Sequence, residues 1–123
     1  MRLAAIAAGI CIAAITSAHA EYAAFNGIGV TSCAEFAQHF KLTPKAANLV
    51  YFSWAQGFMS GYNASALAKG ISGKDLNAET ETDEEVHIRD YCDLHPLVPY
   101  VRAVLDLYLS LPTGAPPKSS NGR

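Results

Sequence analysis

Charge is missing from the middle of this chain. Between Lys45 and Lys69 there is no Asp, Glu, Lys or Arg. Basic residues are scarce overall, with nine Lys and Arg against eleven Asp and Glu. That balance lacks the basic footprint a nucleic-acid binder needs to offset phosphates, and so excludes such a partner. Cysteine is scarce too: the whole chain holds three. Four-thiol zinc sites are therefore excluded. No Cys-x-x-Cys-His run offers haem attachment, and no Gly-x-Ser-x-Gly turn offers a nucleophile elbow. No phosphate loop and no His-Glu-x-x-His pair appears. The expectation is a non-enzymatic protein with no cofactor and no bound metal.

What is present begins with an export signal. Residues 1–20 carry one basic residue, Arg2, then an apolar run from Leu3 to Ile15, and end in Ala18-His19-Ala20. Small residues before the cleavage point are what a signal peptidase reads. The run is shorter than the roughly 20 apolar residues of a membrane span. Bulky Ile10 before Cys11 argues against an acylated cysteine, so Cys11 leaves with the signal. The remaining chain has eight Lys and Arg against eleven acids, a formal charge of −3. A periplasmic or secreted location follows. In such an oxidising compartment the two remaining cysteines, Cys33 and Cys92, are expected to pair. A metal site built on His87, Cys92 and His95 has too few thiols and the wrong spacing for structural zinc. A free Cys92 thiol beside His95 would require the disulfide to be absent.

The mature part reads as an all-α, single-domain bundle of about four helices. Residues 21–30 have no helical period and form an irregular arm. The helical domain spans 31–112. Ser32 and Glu35 have the spacing of a capping box, and Cys33, Phe36, Ala37 and Phe40 share one face of the helix they open. Thr43-Pro44 starts a second helix that runs to about Lys69, with Gly70 as its stop. Residues 70–82 are a linker. Thr82 and Glu85 suggest a second box opening a third helix to about Leu94. The five acids from Glu79 to Glu85 read as a solvated loop and a charged helix start. Pro96 or Pro99 opens the last helix, with Leu97, Val101, Val104, Tyr108 and Leu111 as its apolar stripe. Pro112 ends it, and residues 113–123 have the composition of a disordered tail.

The charge-free stretch is not a membrane span by pattern. On a helical wheel Ala47, Tyr51, Trp54, Ala55, Phe58 and Tyr62 fall on one side. Ser53, Gln56, Ser60 and Asn63 line up opposite, a polar stripe a lipid-facing helix has no use for. A mostly buried central helix is the reading. Gly57 and Gly61 flank the aromatic side beside Val50, where the lack of side chains would let another helix pack closely, joining Trp54 and Phe58 in helix packing. A neutral stripe implies cover by the linker, the tail or a second molecule, which makes Ser53, Gln56, Ser60 and Asn63 the candidate contact surface.

Three stretches together resemble the HdeA/HdeB group of small periplasmic proteins. They are TSCAEF near the mature start, a proline-led helix, and IRDYCDLHP before a final helix. The matching positions are Cys33, Glu35 and Phe36, then Tyr91, Cys92 and Pro96, within residues 31–111. The central WAQGFMSGYN is similar to a signature of a further exported bacterial subgroup. The resemblance implies an acid-stress chaperone that binds unfolded clients, and a possible homodimer. Small exported helical proteins with one disulfide also resemble Tai-type immunity proteins, which would imply one protein partner, a periplasmic effector. An envelope-associated module is a third expectation.

Overall fold

Cys33 at the start of the first helix and Cys92 near the end of the third meet at one corner of a four-helix bundle. The structure is a computed structural model, and it describes residues 24–116. The four helices are α1 (Cys33–Leu42), α2 (Pro44–Ala68), α3 (Glu81–Leu94) and α4 (Tyr100–Ser110). Among the described residues there is no strand, only two isolated antiparallel bridges, Ser32 with Pro99 and Lys74 with Thr113. No helix among them is long and apolar enough to cross a membrane. The export signal at 1–20 lies outside the described residues.

The start of α1 shows how the chain closes on itself. A helix leaves its first four amides without intrahelical partners. Ser32 Oγ accepts from the Glu35 amide at 3.1 Å, as the capping spacing predicts. The Cys33 and Ala34 amides donate to the carbonyls of Val98 and Pro96, both at 2.8 Å, and the Tyr100 amide donates to the Thr31 carbonyl at 2.8 Å. The loop between α3 and α4 thus serves as the cap of α1. The loop turns at 96–97, where the Val98 amide returns to the His95 carbonyl at 3.2 Å, and Pro99 rather than Pro96 precedes the last helix. The disulfide Cys33–Cys92 fastens the same corner, with both cysteines buried. The Cys92 sulfur is therefore held in the pairing expected from the sequence.

Several boundaries differ from the pattern reading. The third helix is capped by Thr80, not Thr82: Thr80 Oγ1 accepts from the Asp83 amide at 3.2 Å and donates to Asp83 Oδ2 at 2.6 Å. Two Thr-x-x-acid signatures overlap here, and the earlier one is used; the longer helix also brings Glu81 to Gln56 of α2. Leu97 is not part of the α4 stripe; it sits in the loop, 90% exposed. Val101, Val104, Tyr108 and Leu111 are buried as expected, joined by Tyr100, Ala103 and Leu107. The arm is not irregular throughout, since Gly27–Val30 form one 3-10 turn. Nor is the start of the tail wholly free: the Gly114 amide donates to the Gly73 carbonyl at 2.8 Å beside the Lys74–Thr113 bridge. The rest of the tail, from 117 onward, lies outside the described residues.

The α2 C-terminus follows its glycine signal. Gly70 adopts φ +70°, and the Gly70 and Ile71 amides return to the Leu67 and Ala66 carbonyls at 2.9 and 3.0 Å. That is a Schellman ending, which satisfies carbonyls left over at the helix end. The core face of α2 is Ala47, Tyr51, Phe52, Ala55 and Met59. Phe52 and Met59 lie off the aromatic side that the wheel picks out. Trp54, Phe58 and Tyr62 instead form a ladder on the flank, with centroids 5.0 Å apart at each step, continued to Tyr108 at 5.2 Å. At the centre Phe36, Tyr51 and Tyr100 meet pairwise at 4.8 to 4.9 Å. Burial pushes the Tyr51 and Tyr100 hydroxyls above the usual phenol range.

Gly29 is where the arm meets this ladder. A Cβ there would overlap three atoms of the Trp54 ring, closer than any real Cβ contact allows. Gly29→Ala is therefore expected to displace the indole and lower stability by about 2 kcal/mol, the usual scale of overpacking. A urea titration with Trp54 fluorescence checks both effects. Unchanged emission and midpoint would show that the arm does not pack on the indole.

Candidate functional site

The proposed contact stripe divides in two. Ser53 and Ser60 are exposed, whereas Gln56 and Asn63 are half-buried and engaged. Gln56 Nε2 donates to Glu81 Oε1 at 3.2 Å. Asn63 Nδ2 donates to the Lys74 carbonyl at 2.8 Å, and its Oδ1 accepts from the Lys74 amide at 2.8 Å and the Tyr108 hydroxyl at 2.9 Å. The neutral character of the stripe has a physical cause at Asn63. At Asn63 the carboxamide both donates and accepts, which lets it hold the linker backbone where a charged side chain could not, while Gln56 only donates to Glu81. Asn63 belongs to the scaffold.

Between α2 and α3 lies a cleft of about 330 Å³, lined by Lys45, Asn48, Ser53, Gln56, Glu81 and Glu85 among others. Asn48 Nδ2 donates to Glu85 Oε1 across it. The acidic run thus is not simply solvated: Glu81 and Glu85 face α2 amides. Glu84 goes further. It is 3% exposed, and its Oε1 has no hydrogen-bond partner. Burial, then the like charges of Glu79 and Glu81, push its carboxyl up to about 7. Sequence reasoning missed it, although the signal was available. Glu84, Ile88 and Cys92 are spaced four apart, so a buried Cys92 carries Glu84 inward on the same helix face.

The glycines correct the packing expectation. A Cβ on Gly57 or Gly61 would meet nothing within 4 Å. Among the described residues no other helix approaches them. Together with Phe58, Tyr62 and Ser65 they form an open groove of about 380 Å³ on the outer face of α2. Leu49 and Val50 on the same helix are 69% and 53% exposed. Trp54 and Phe58 remain half-buried and do pack, on the arm: Phe25 meets Phe58 edge-on at 5.7 Å. The α2 C-terminal turns are exposed rather than buried, because α4 ends at Ser110 and reaches only as far as Tyr62 and Asn63.

Overpacking is not available at an open groove, so Gly57→Leu is expected to keep or raise the parent melting temperature. Replacing a helical glycine even recovers up to about 1 kcal/mol of helix propensity. A loss of several degrees in a thermal melt would show that the groove is filled in solution.

The outer face of α2 thus leaves open apolar surface beside exposed Ser53 and Ser60. Among the described residues no cluster of three His, Cys, Asp or Glu side chains could hold a metal ion. Compared with protein-family models, curated proteins and solved structures, the chain matches none.

Proposed function

We propose that this chain is an exported, non-enzymatic protein-binding domain, and that the charge-free outer face of α2 is its contact surface. The observation that carries this reading is the groove over Gly57 and Gly61, apolar at its rim and unfilled by the described helices. Open apolar surface beside uncharged polar residues is what a protein partner can cover without stripping water from charges. The buried disulfide is compatible with an oxidising compartment.

The finer form of the proposal is an acid-stress holdase of HdeA/HdeB type, acting in the periplasm on unfolding clients. Protonating eleven carboxylates and charging three histidines takes the chain without its signal from −3 to +11. Self-repulsion on that scale loosens compact states. The disulfide would keep the loosened chain together while the Trp54–Phe58–Tyr62 ladder meets a client. The test is an acid-labile client dropped from pH 7 to about 2.5 with the oxidised protein, followed by light scattering. Suppressed aggregation at low pH alone, lost in Gly61→Lys, supports the reading. A client that aggregates regardless removes the holdase role.

A second reading is favoured by one feature: the groove is already formed in the native fold. A Tai-type immunity protein would use such a surface at neutral pH against a single effector. Binding at pH 7 that Gly61→Lys abolishes would select it.

A further inference from the structure

The first turns of α3 present an unusual combination. A carboxyl sits 3% exposed, one oxygen partnerless, among buried side chains that are otherwise apolar or phenolic in the described bundle. A buried carboxylate short of partners is among the costliest groups a small domain can hold, whereas the neutral acid is tolerated.

We propose that Glu84 is a proton-controlled latch. Its neutral carboxyl keeps the N-terminal half of α3 seated on the core, and its ionisation releases that half from α2. The proposal goes beyond the contact-surface reading and does not depend on it.

The surroundings favour this role. On its own element and just before it, Glu84 is surrounded in sequence by Glu79, Glu81, Asp83 and Glu85, and Glu79 and Glu81 act on it electrostatically with its own sign. From α2, Asn48 and Gln56 meet the neighbouring Glu85 and Glu81, and no charge follows Lys45 until Lys69. From α4, Asp106 is exposed and pairs with His87 at 2.9 Å, while Arg102 is exposed on the same helix. From α1, Glu35, His39 and Lys41 are all exposed, His39 bonding Tyr51 and Lys41 lining a cavity with Arg89. Release of Glu84 would take Glu81 and Glu85 away from Gln56 and Asn48 and open the α2–α3 cleft.

The direction of the pH dependence follows. The folded chain holds the Glu84 proton up to about pH 7, while the unfolded chain gives it up near 4.5. The folded state binds more protons between these values, so stability falls as pH rises through the window. The contribution is whole below about 4.5 and lost above about 7. The size is a drop in the folding constant on the order of 100-fold between pH 5 and 8, from a shift of that extent.

The experiment is urea unfolding of the oxidised protein and of Glu84→Gln at pH 5 and pH 8. The difference between the two proteins isolates Glu84 from the histidines. The amide variant cannot ionise, and it is expected to gain on the wild type by that factor from pH 5 to 8. Hydrogen exchange of the wild type alone, corrected for intrinsic rates, provides a readout independent of any variant. Residues 79–90 are expected to lose protection at pH 8 while residues 100–110 keep theirs. An equal pH slope in both proteins, or protection lost evenly along the chain, overturns the latch.

Discussion

Cys33→Ser is expected to remove about 4 kcal/mol of stability. The Cys33–Cys92 bridge spans a sequence separation of 59. Closing a loop of that size restricts the unfolded chain by about 4 kcal/mol in the chain-entropy model. Domains of this size have a total stability of about 5–15 kcal/mol, so the loss takes a large share. The folded state has its own stake in the bond. It joins the N-terminus of α1 to the C-terminal end of α3, at the corner where Pro96 and Val98 carbonyls cap α1. Urea unfolding of the variant, and of the wild type with and without reductant, measures the effect. Reduction should match the substitution to within about 1 kcal/mol, the scale on which a buried thiol and a hydroxyl differ through hydrogen bonding. A wild-type midpoint that reduction does not move would show that the bundle's packing alone restrains the chain.

Asn63→Ala is expected to cost about 3 kcal/mol, from three hydrogen bonds at about 1 kcal/mol each. The carboxamide acts as a strand partner for Lys74, meeting both its amide and its carbonyl, and it receives the Tyr108 hydroxyl as well. The consequences extend along the linker. Lys74 Nζ donates to the Leu109 and Leu111 carbonyls at 3.1 and 2.7 Å, so a displaced Lys74 uncaps α4. A Cβ on Gly73 would overlap the Asn63 carboxamide, which shows how closely the two segments fit. Asn63→Asp should fall between wild type and alanine, since a carboxylate still accepts from the Lys74 amide and the Tyr108 hydroxyl but cannot donate to the Lys74 carbonyl. Hydrogen exchange should localise the damage to residues 70–79 and 112–114. A variant that melts with the wild type would remove Asn63 from the scaffold and return it to the contact surface.

Much of the architecture was legible from local signals. Ser32 with Glu35, Pro44 at a helix start and Gly70 at a helix end each mark a boundary through the backbone groups left over there. Those groups belong to a few neighbouring residues, so sequence spacing reports them directly. The choice between Thr80 and Thr82 was less legible, because both satisfy the same local rule and spacing alone does not rank them. The polar stripe was visible as a pattern, but its division was not. Asn63 and Gln56 look alike on a helical wheel, yet one holds the linker and the other an acidic helix.

Short-range periodicity and elimination suffice for the existence of the helices, for four of the five expected stripe residues of the last helix (Val101, Val104, Tyr108 and Leu111, but not Leu97) and for the pair of cysteines that join. None of these needs to know where a distant segment lies. The fate of Gly57 and Gly61 does. A glycine pair permits close approach without requiring it, and whether a helix arrives depends on which face of α2 the bundle takes, here that of Ala47, Tyr51, Phe52, Ala55 and Met59. The burial of Glu84 lies between the two, its face readable from the spacing and its full cover decided by packing. One face of α3 must carry Ile88 and Cys92 inward, and the residue one turn earlier follows them whatever its charge, because helix geometry fixes the direction of every side chain on that face.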